Sequence, residues 1–155
     1  CAGFVRNKGI EIATGKYIAF CDDDDIWFSK KIDIQIKAMK DTGCKLSSTD
    51  GLIGHGVYNS TLKYKKYNAE HHYKTLQNIY KRKGSNLLDN GFPDIWNLNF
   101  LKIHNCIICS SVVVEKELLN KINYNLNNIY IDRFWYSIKD DKWIYLDNEL
   151  ILLVN

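Results

Sequence analysis

The sequence predicts an α/β fold from three observations. Phe4, Val5, Ile10 and Ala13 have helical spacing and lead, across Gly15, into a continuous apolar run at residues 17–21. A second helical stripe, Ile32, Ile36 and Met39, follows and stops at Gly43. Strand-like and helix-like segments then continue to alternate to the end of the chain.

Each element has its own signal. Gly15 stands where a helix C′ glycine belongs. The run Tyr17, Ile18, Ala19, Phe20, Cys21 is short and apolar throughout, as in a central strand of a parallel sheet buried on both faces. Ser29 is the expected N-cap of a helix over 30–42. Residues 45–49 read as a strand, and 52–67 as a hairpin or irregular excursion. A helix is expected over 71–83, with Tyr73, Leu76, Ile79 and Tyr80 on one face. Residues 84–99 are turn-rich, holding Gly84, Asn90-Gly91 and the single proline, Pro93. A strand over 107–114, a short helix over 115–122, a helix over 132–139 and strands within 143–154 complete the pattern.

Bulk properties narrow the function. A chain of 155 residues with 46% hydrophobic content is one globular domain able to bury a core. Its 21 basic and 18 acidic residues give +3, too mild a charge to imply nucleic acid as a partner. No stretch approaches the roughly 20 apolar residues of a membrane span. The five cysteines show no disulfide framework, which predicts a reducing, cytoplasmic setting. Cys106 and Cys109 form an isolated C-x-x-C, better read as small apolar residues in or beside a strand than as a redox or zinc pair. The start at Cys1, running at once into organised sequence, reads as a fragment of a longer domain or a processed product.

The acidic run Asp22, Asp23, Asp24, Asp25 carries the chemistry. It stands at the carboxyl end of the first predicted strand, where open α/β sheets bind ligands. Four adjacent carboxylates repel one another, and a hard divalent cation such as Mg²⁺ or Mn²⁺ relieves the repulsion while keeping positions open for phosphate oxygens. A solvated acidic turn partly neutralised by Lys30 and Lys31 is the plainer alternative. The apolar flanks (Phe20-Cys21 before, Ile26-Trp27-Phe28 after) hold the run in place and favour the metal site.

Three segments in order, Arg6-Asn7-x-Gly9-Ile10, then Ala13-x-Gly15-Lys16-Tyr17-Ile18-Ala19-Phe20, then Asp22-x-Asp24-Asp25-x-Trp27, resemble the family 2 glycosyltransferases of GT-A fold. Lys31, Ile32 and Gln35 in the next helix extend the resemblance. A weaker likeness runs through residues 109–114 and Asp132-x-x-x-Trp135. The resemblance implies a GT-A-like, Rossmann-like mixed sheet whose first strand–helix–strand lies upstream of Cys1. It implies an inverting transfer of a sugar from a nucleotide-sugar, a UDP-sugar by preference, to a glycan, lipid-linked or protein acceptor, with Mn²⁺ or Mg²⁺ bridging the diphosphate. On the matching positions, Asp22 and Asp24 are the ends of the D-x-D motif. Asp24 is then the metal ligand, and Arg6, Asp22 and Asp23 belong to the nucleotide-sugar. Asp132 is the general base, and polysaccharide biosynthesis the implied setting.

Other readings compete. A D-x-D phosphohydrolase would make Asp22 the nucleophile and Asp24 the acid/base, and a non-catalytic remnant would serve as an interaction domain. Trp27 and Trp135 are either sugar-stacking faces or core. The segments 63–67 and 81–83 mix basic and aromatic residues and could meet a polyanion or membrane headgroups, although a solvated face explains them more simply. Peripheral association with the inner face of a membrane therefore stays open. His55, His71 and His72 read as surface residues, with His104-Asn105 a candidate for the acceptor side.

Overall fold

The computed structural model describes residues 2–121 and 143–154. Helix α1 (Ala2–Ile12) leads into strand β1 (Tyr17–Ala19), the acidic turn and strand β2 (Ile26–Trp27). Helix α2 (Lys31–Thr42) and strand β3 (Leu46–Gly54) follow, then β4 (Lys65–Lys66). A π-helical turn (Tyr67–His72) runs directly into α3 (Tyr73–Arg82), β5 (Ile95–Trp96) and α4 (Leu98–Ile103). A 3₁₀ turn (Cys109–Ser111) precedes β6 (Val113–Glu115), α5 (Lys116–Lys121) and β7 (Trp143–Val154).

The sheet is mixed, in the order β1-β6-β3-β7-β2, with β4 added to β3 and β5 to β7. Among the described residues only β3 and β7 are parallel. β1 lies antiparallel to β6, with Ile18 opposite Val114, and β6 lies antiparallel to β3. β1 and β3 therefore point the same way, and the acidic turn leaves the same end of the sheet as the loop 55–64.

Alternation along the strands serves two helical layers. On one face Ile18, Leu46, Val112 and Val114 join the large core with Leu76 and Tyr80 of α3 and Phe100 and Leu101 of α4. On the other, Val113 and Ile144 pack with Met39, Ile32 and Ile36 of α2. The large core is richly aromatic: Trp96 stacks on Tyr145 with ring centroids 4.5 Å apart and meets Phe100 at 4.8 Å.

Several local expectations change. β1 is not a central parallel strand but the end of the sheet order among the described residues, and its one partner there is antiparallel. Helices on both faces explain its unbroken apolar run without a parallel neighbour on each side. Gly15 is not a left-handed C′ residue; that role is filled at α2 by Gly43, with φ 70°. Ser29 does not cap α2, whose cap position is Lys30 without a side-chain bond. The expected strand 107–114 is irregular at 107–108 and a 3₁₀ turn at Cys109–Ser111, and only its end joins the sheet. The 52–67 excursion is a hairpin, because β4 pairs back on β3. The expected helix over 132–139, with Asp132 and Trp135, lies outside the described residues.

Candidate active site

The acidic turn is built by contacts with a segment some ninety residues later. The Asp22 backbone N–H donates to Ser110 Oγ at 2.9 Å, and Trp27 Nε1–H donates to the Ser110 carbonyl at 2.8 Å. Beneath them lies Lys31, 0% exposed. Its ammonium donates to Gln35 Oε1 at 2.6 Å and to the Ser111 carbonyl at 3.3 Å, and sits 4.4 Å from the centre of the Trp27 ring. Gln35 Nε2 donates to the same Ser111 carbonyl at 2.7 Å and to Ser47 Oγ at 3.1 Å. Lys31 and Gln35 thus fasten α2 to the 3₁₀ turn and do not neutralise the aspartates. Trp27 is part of the same joint, with one ring face covered by Lys31.

Burial lowers the Lys31 pKa from 10.5 to about 8, while burial pushes the Cys106 thiol up to about 12. The signs oppose each other. Between pH 8 and 10.5 the unfolded chain holds the proton that folded Lys31 has lost, so stability rises with pH. Above pH 9 the folded chain keeps the Cys106 proton that the unfolded chain loses, so stability falls towards pH 12. Each slope is about 1.4 kcal/mol per pH unit. Urea midpoints should therefore rise from pH 8 to 9, level off, and fall beyond 10.5. Lys31→Met should remove the rise and Cys106→Ala the fall. A profile with the same shape in both variants would contradict the assignment.

Arg6 reaches from α1 to the acidic turn, and its guanidinium donates to the Asp22 carboxylate. Two residues on, Asp24 is exposed and makes no side-chain hydrogen bond or ion pair among the described residues. Asp22, Asp24 and Asp25 open onto a cavity of about 530 Å³. Asp23 is exposed and does not line it. The same cavity is lined by Asn68, His72, Thr75, His104 and Asn105, and by the apolar Ile107 and Ile108. His104 and Asn105 thus line the same cavity as the acidic turn. His72 is not simply a surface residue, and burial followed by the neighbouring His71 and His104 lowers its pKa, favouring neutral imidazole.

Asp50 carries no mark in the sequence. It sits 0% exposed at a bulge in the β3–β7 ladder. Its Oδ1 accepts the backbone N–H of Gly51 and Asn68, and Oδ2 that of Ala69, each at 2.9 Å. Burial raises its pKa, and the three amides and the Tyr145 hydroxyl pull against that rise. The carboxylate thereby anchors the π-helical turn whose Asn68 and His72 face the cavity.

The donor set fits a hard divalent ion in an open site. No group of three or more His, Cys, Asp and Glu encloses a metal among the described residues. Mg²⁺ and similar ions commonly take one or two protein carboxylates and complete their shell with water and substrate phosphate. Asp24, with Asp22 beside it, offers that set.

Comparison with known proteins agrees with this geometry. The family model "Glycosyl transferase family 2" matches residues 4–107, from α1 to the cavity lining. A glycosyltransferase of Rickettsia felis is 50% identical over 44 residues, 28% of this chain and 7% of that protein. One provisionally assigned to teichuronic acid biosynthesis in Bacillus subtilis is 42% identical over 48 residues, 31% of this chain and 19% of its own. The UDP-Glc:alpha-D-GlcNAc-diphosphoundecaprenol beta-1,3-glucosyltransferase of Escherichia coli is 45% identical over 38 residues, 24% of this chain and 15% of its own. The matched stretches span less than a fifth of each relative. With its α/β mixed sheet and its acidic turn at a strand's carboxyl end, this chain belongs to glycosyl transferase family 2.

Proposed function

We propose that the protein transfers a glycosyl unit, with inversion, from a UDP-sugar to a hydroxyl of a glycan, lipid-linked or protein acceptor. The observation that carries the reading is Asp24, unengaged and exposed at the mouth of the cavity, beside an Asp22 already held by Arg6. Asp24, with Asp22 in the outer shell, would hold Mn²⁺ or Mg²⁺, which supplies Lewis-acid stabilisation of the departing nucleotide diphosphate. Arg6 orients Asp22 and adds a positive charge beside the diphosphate. Asp23 stands next to the donor on the solvent side. His72, His104 and Asn105 offer hydrogen bonds to acceptor hydroxyls, in the cavity that the apolar Ile107 and Ile108 also line. Asp132 is proposed as the base that takes the acceptor proton.

The Arg6–Asp22 pair also argues against a phosphohydrolase, because a carboxylate held by a guanidinium is a poor nucleophile. The UDP-glucose donor and diphosphoundecaprenol-linked acceptor in the Escherichia coli relative's name support a UDP donor and a lipid-linked acceptor here. Such an acceptor would place the protein in the cytoplasm at the inner face of a membrane. No helix among the described residues is long and apolar enough to cross one.

The test is transfer from a panel of UDP-sugars, with and without Mn²⁺, reading released UDP and the anomeric configuration of the product. Asp132→Asn should lower turnover by roughly 10²- to 10⁴-fold while calorimetric UDP binding stays within twofold. Transfer that is indifferent to Mn²⁺, or a product of retained configuration, would refute the mechanism.

A further inference from the structure

The loop between β3 and β4 forms a knob that the site does not use. Val57 is 88% exposed and Leu62 59%, and Tyr58 is also open to solvent. The knob is held in shape. Tyr58 meets Phe28 edge-on at 5.1 Å and stacks on Tyr64 at 5.7 Å. The Asn59 N–H donates to the Tyr64 hydroxyl at 3.0 Å, and Asn59 Oδ1 accepts from both the N–H and the hydroxyl of Thr61.

Charge decides the partner. No Asp or Glu occurs between Asp50 and Glu70, while Lys63, Lys65 and Lys66 lie together. Lys63 and Lys65 are exposed. The Glu70 carboxylate is turned back, accepting the Lys66 backbone N–H at 3.0 Å. Exposed apolar side chains, tyrosines and neighbouring lysines are the side-chain set that suits an anionic bilayer surface, with its acyl boundary, headgroup level and negative surface potential. A soluble polyanion would use the lysines and leave Val57 and Leu62 without purpose.

We propose that the knob at residues 55–66 docks the protein on an anionic membrane surface, with Val57 and Leu62 entering the interface and Lys63 and Lys65 on the headgroups. The inference is independent of the transferase reading. It gives the geometry a further sense, since the knob and the acidic turn leave the same end of the sheet, and Tyr58 of the knob meets Phe28 just after β2.

Co-sedimentation with vesicles of phosphatidylcholine alone, and with added phosphatidylglycerol, tests it. Binding is expected only to the anionic vesicles, weakening as salt rises. Lys63→Gln and Lys65→Gln should each lower the partition coefficient about fivefold. The pair Val57→Ser and Leu62→Ser should lower it at least as much. All four side chains are exposed, so thermal unfolding should match the unsubstituted protein. Equal binding to both vesicle types would overturn the proposal. So would binding that survives the serine pair and is competed away by heparin, which would instead mark a polyanion site.

Discussion

An Asp24→Asn protein is expected to lose glycosyl transfer by roughly a thousandfold, about 4 kcal/mol of transition-state stabilisation, together with its response to Mn²⁺. The size follows from the position. Asp24 is exposed at the cavity mouth with no described partner, so its charge is available to a cation. An amide keeps one oxygen but no charge, and a hard ion binds it weakly. Because the side chain supports no packing, the variant should unfold like the parent. Asp23→Asn is the matched control: one position away and off the cavity, it should change transfer by only a few-fold. Asp22→Asn should fall between, since it releases Arg6 as well as weakening the metal shell. A fully active, Mn²⁺-responsive Asp24→Asn protein would remove the basis of the proposed function.

The largest loss of stability is expected at Asp50. Asp50→Ala would strand the buried N–H groups of Gly51 and Asn68, each worth about 1–3 kcal/mol when left without an acceptor, and the half-buried one of Ala69. With partial relaxation the total should be about 3–5 kcal/mol, a large share of a typical domain's stability. Asp50→Asn keeps one oxygen acceptor and removes the charge that burial disfavours, so it should lose much less. Urea denaturation of both variants gives the comparison; equal midpoints for alanine and asparagine would show that the three amides are not what Asp50 holds. Because the turn at Tyr67–His72 carries Asn68 and His72 to the cavity, the alanine variant should also raise KM for the acceptor more than it lowers kcat.

Local chemistry was legible and long-range chemistry was not. The stripe Ile32, Ile36, Met39 and the stop at Gly43 announce α2 because helix periodicity and a left-handed C-cap are properties of neighbouring residues. The acidic run is conspicuous for the same reason. Asp50 carries no such mark: an aspartate after Ser47, Ser48 and Thr49 looks like the start of a loop, and only the amides of Asn68 and Ala69 make it an interior residue. Ser110 and Lys31 are similar, since their partners lie about eighty residues away. The apolar run of β1 was read as a central parallel strand because hydrophobicity reports which faces are covered, not which strand lies alongside.

The join between the acidic turn and Ser110 also sets a timetable. Asp22 and Ser110 are 88 positions apart, and β1 has no described ladder partner until β6 arrives. On a ribosome the carboxylates emerge early, with Arg6 as their local partner, and must wait for nearly the whole described chain before Ser110 can hold the turn in place. A cation site with that dependence cannot form on a half-made chain. The proposed metal affinity should therefore develop with the last stage of folding, and a nascent chain stalled before Ser110 should show none of it.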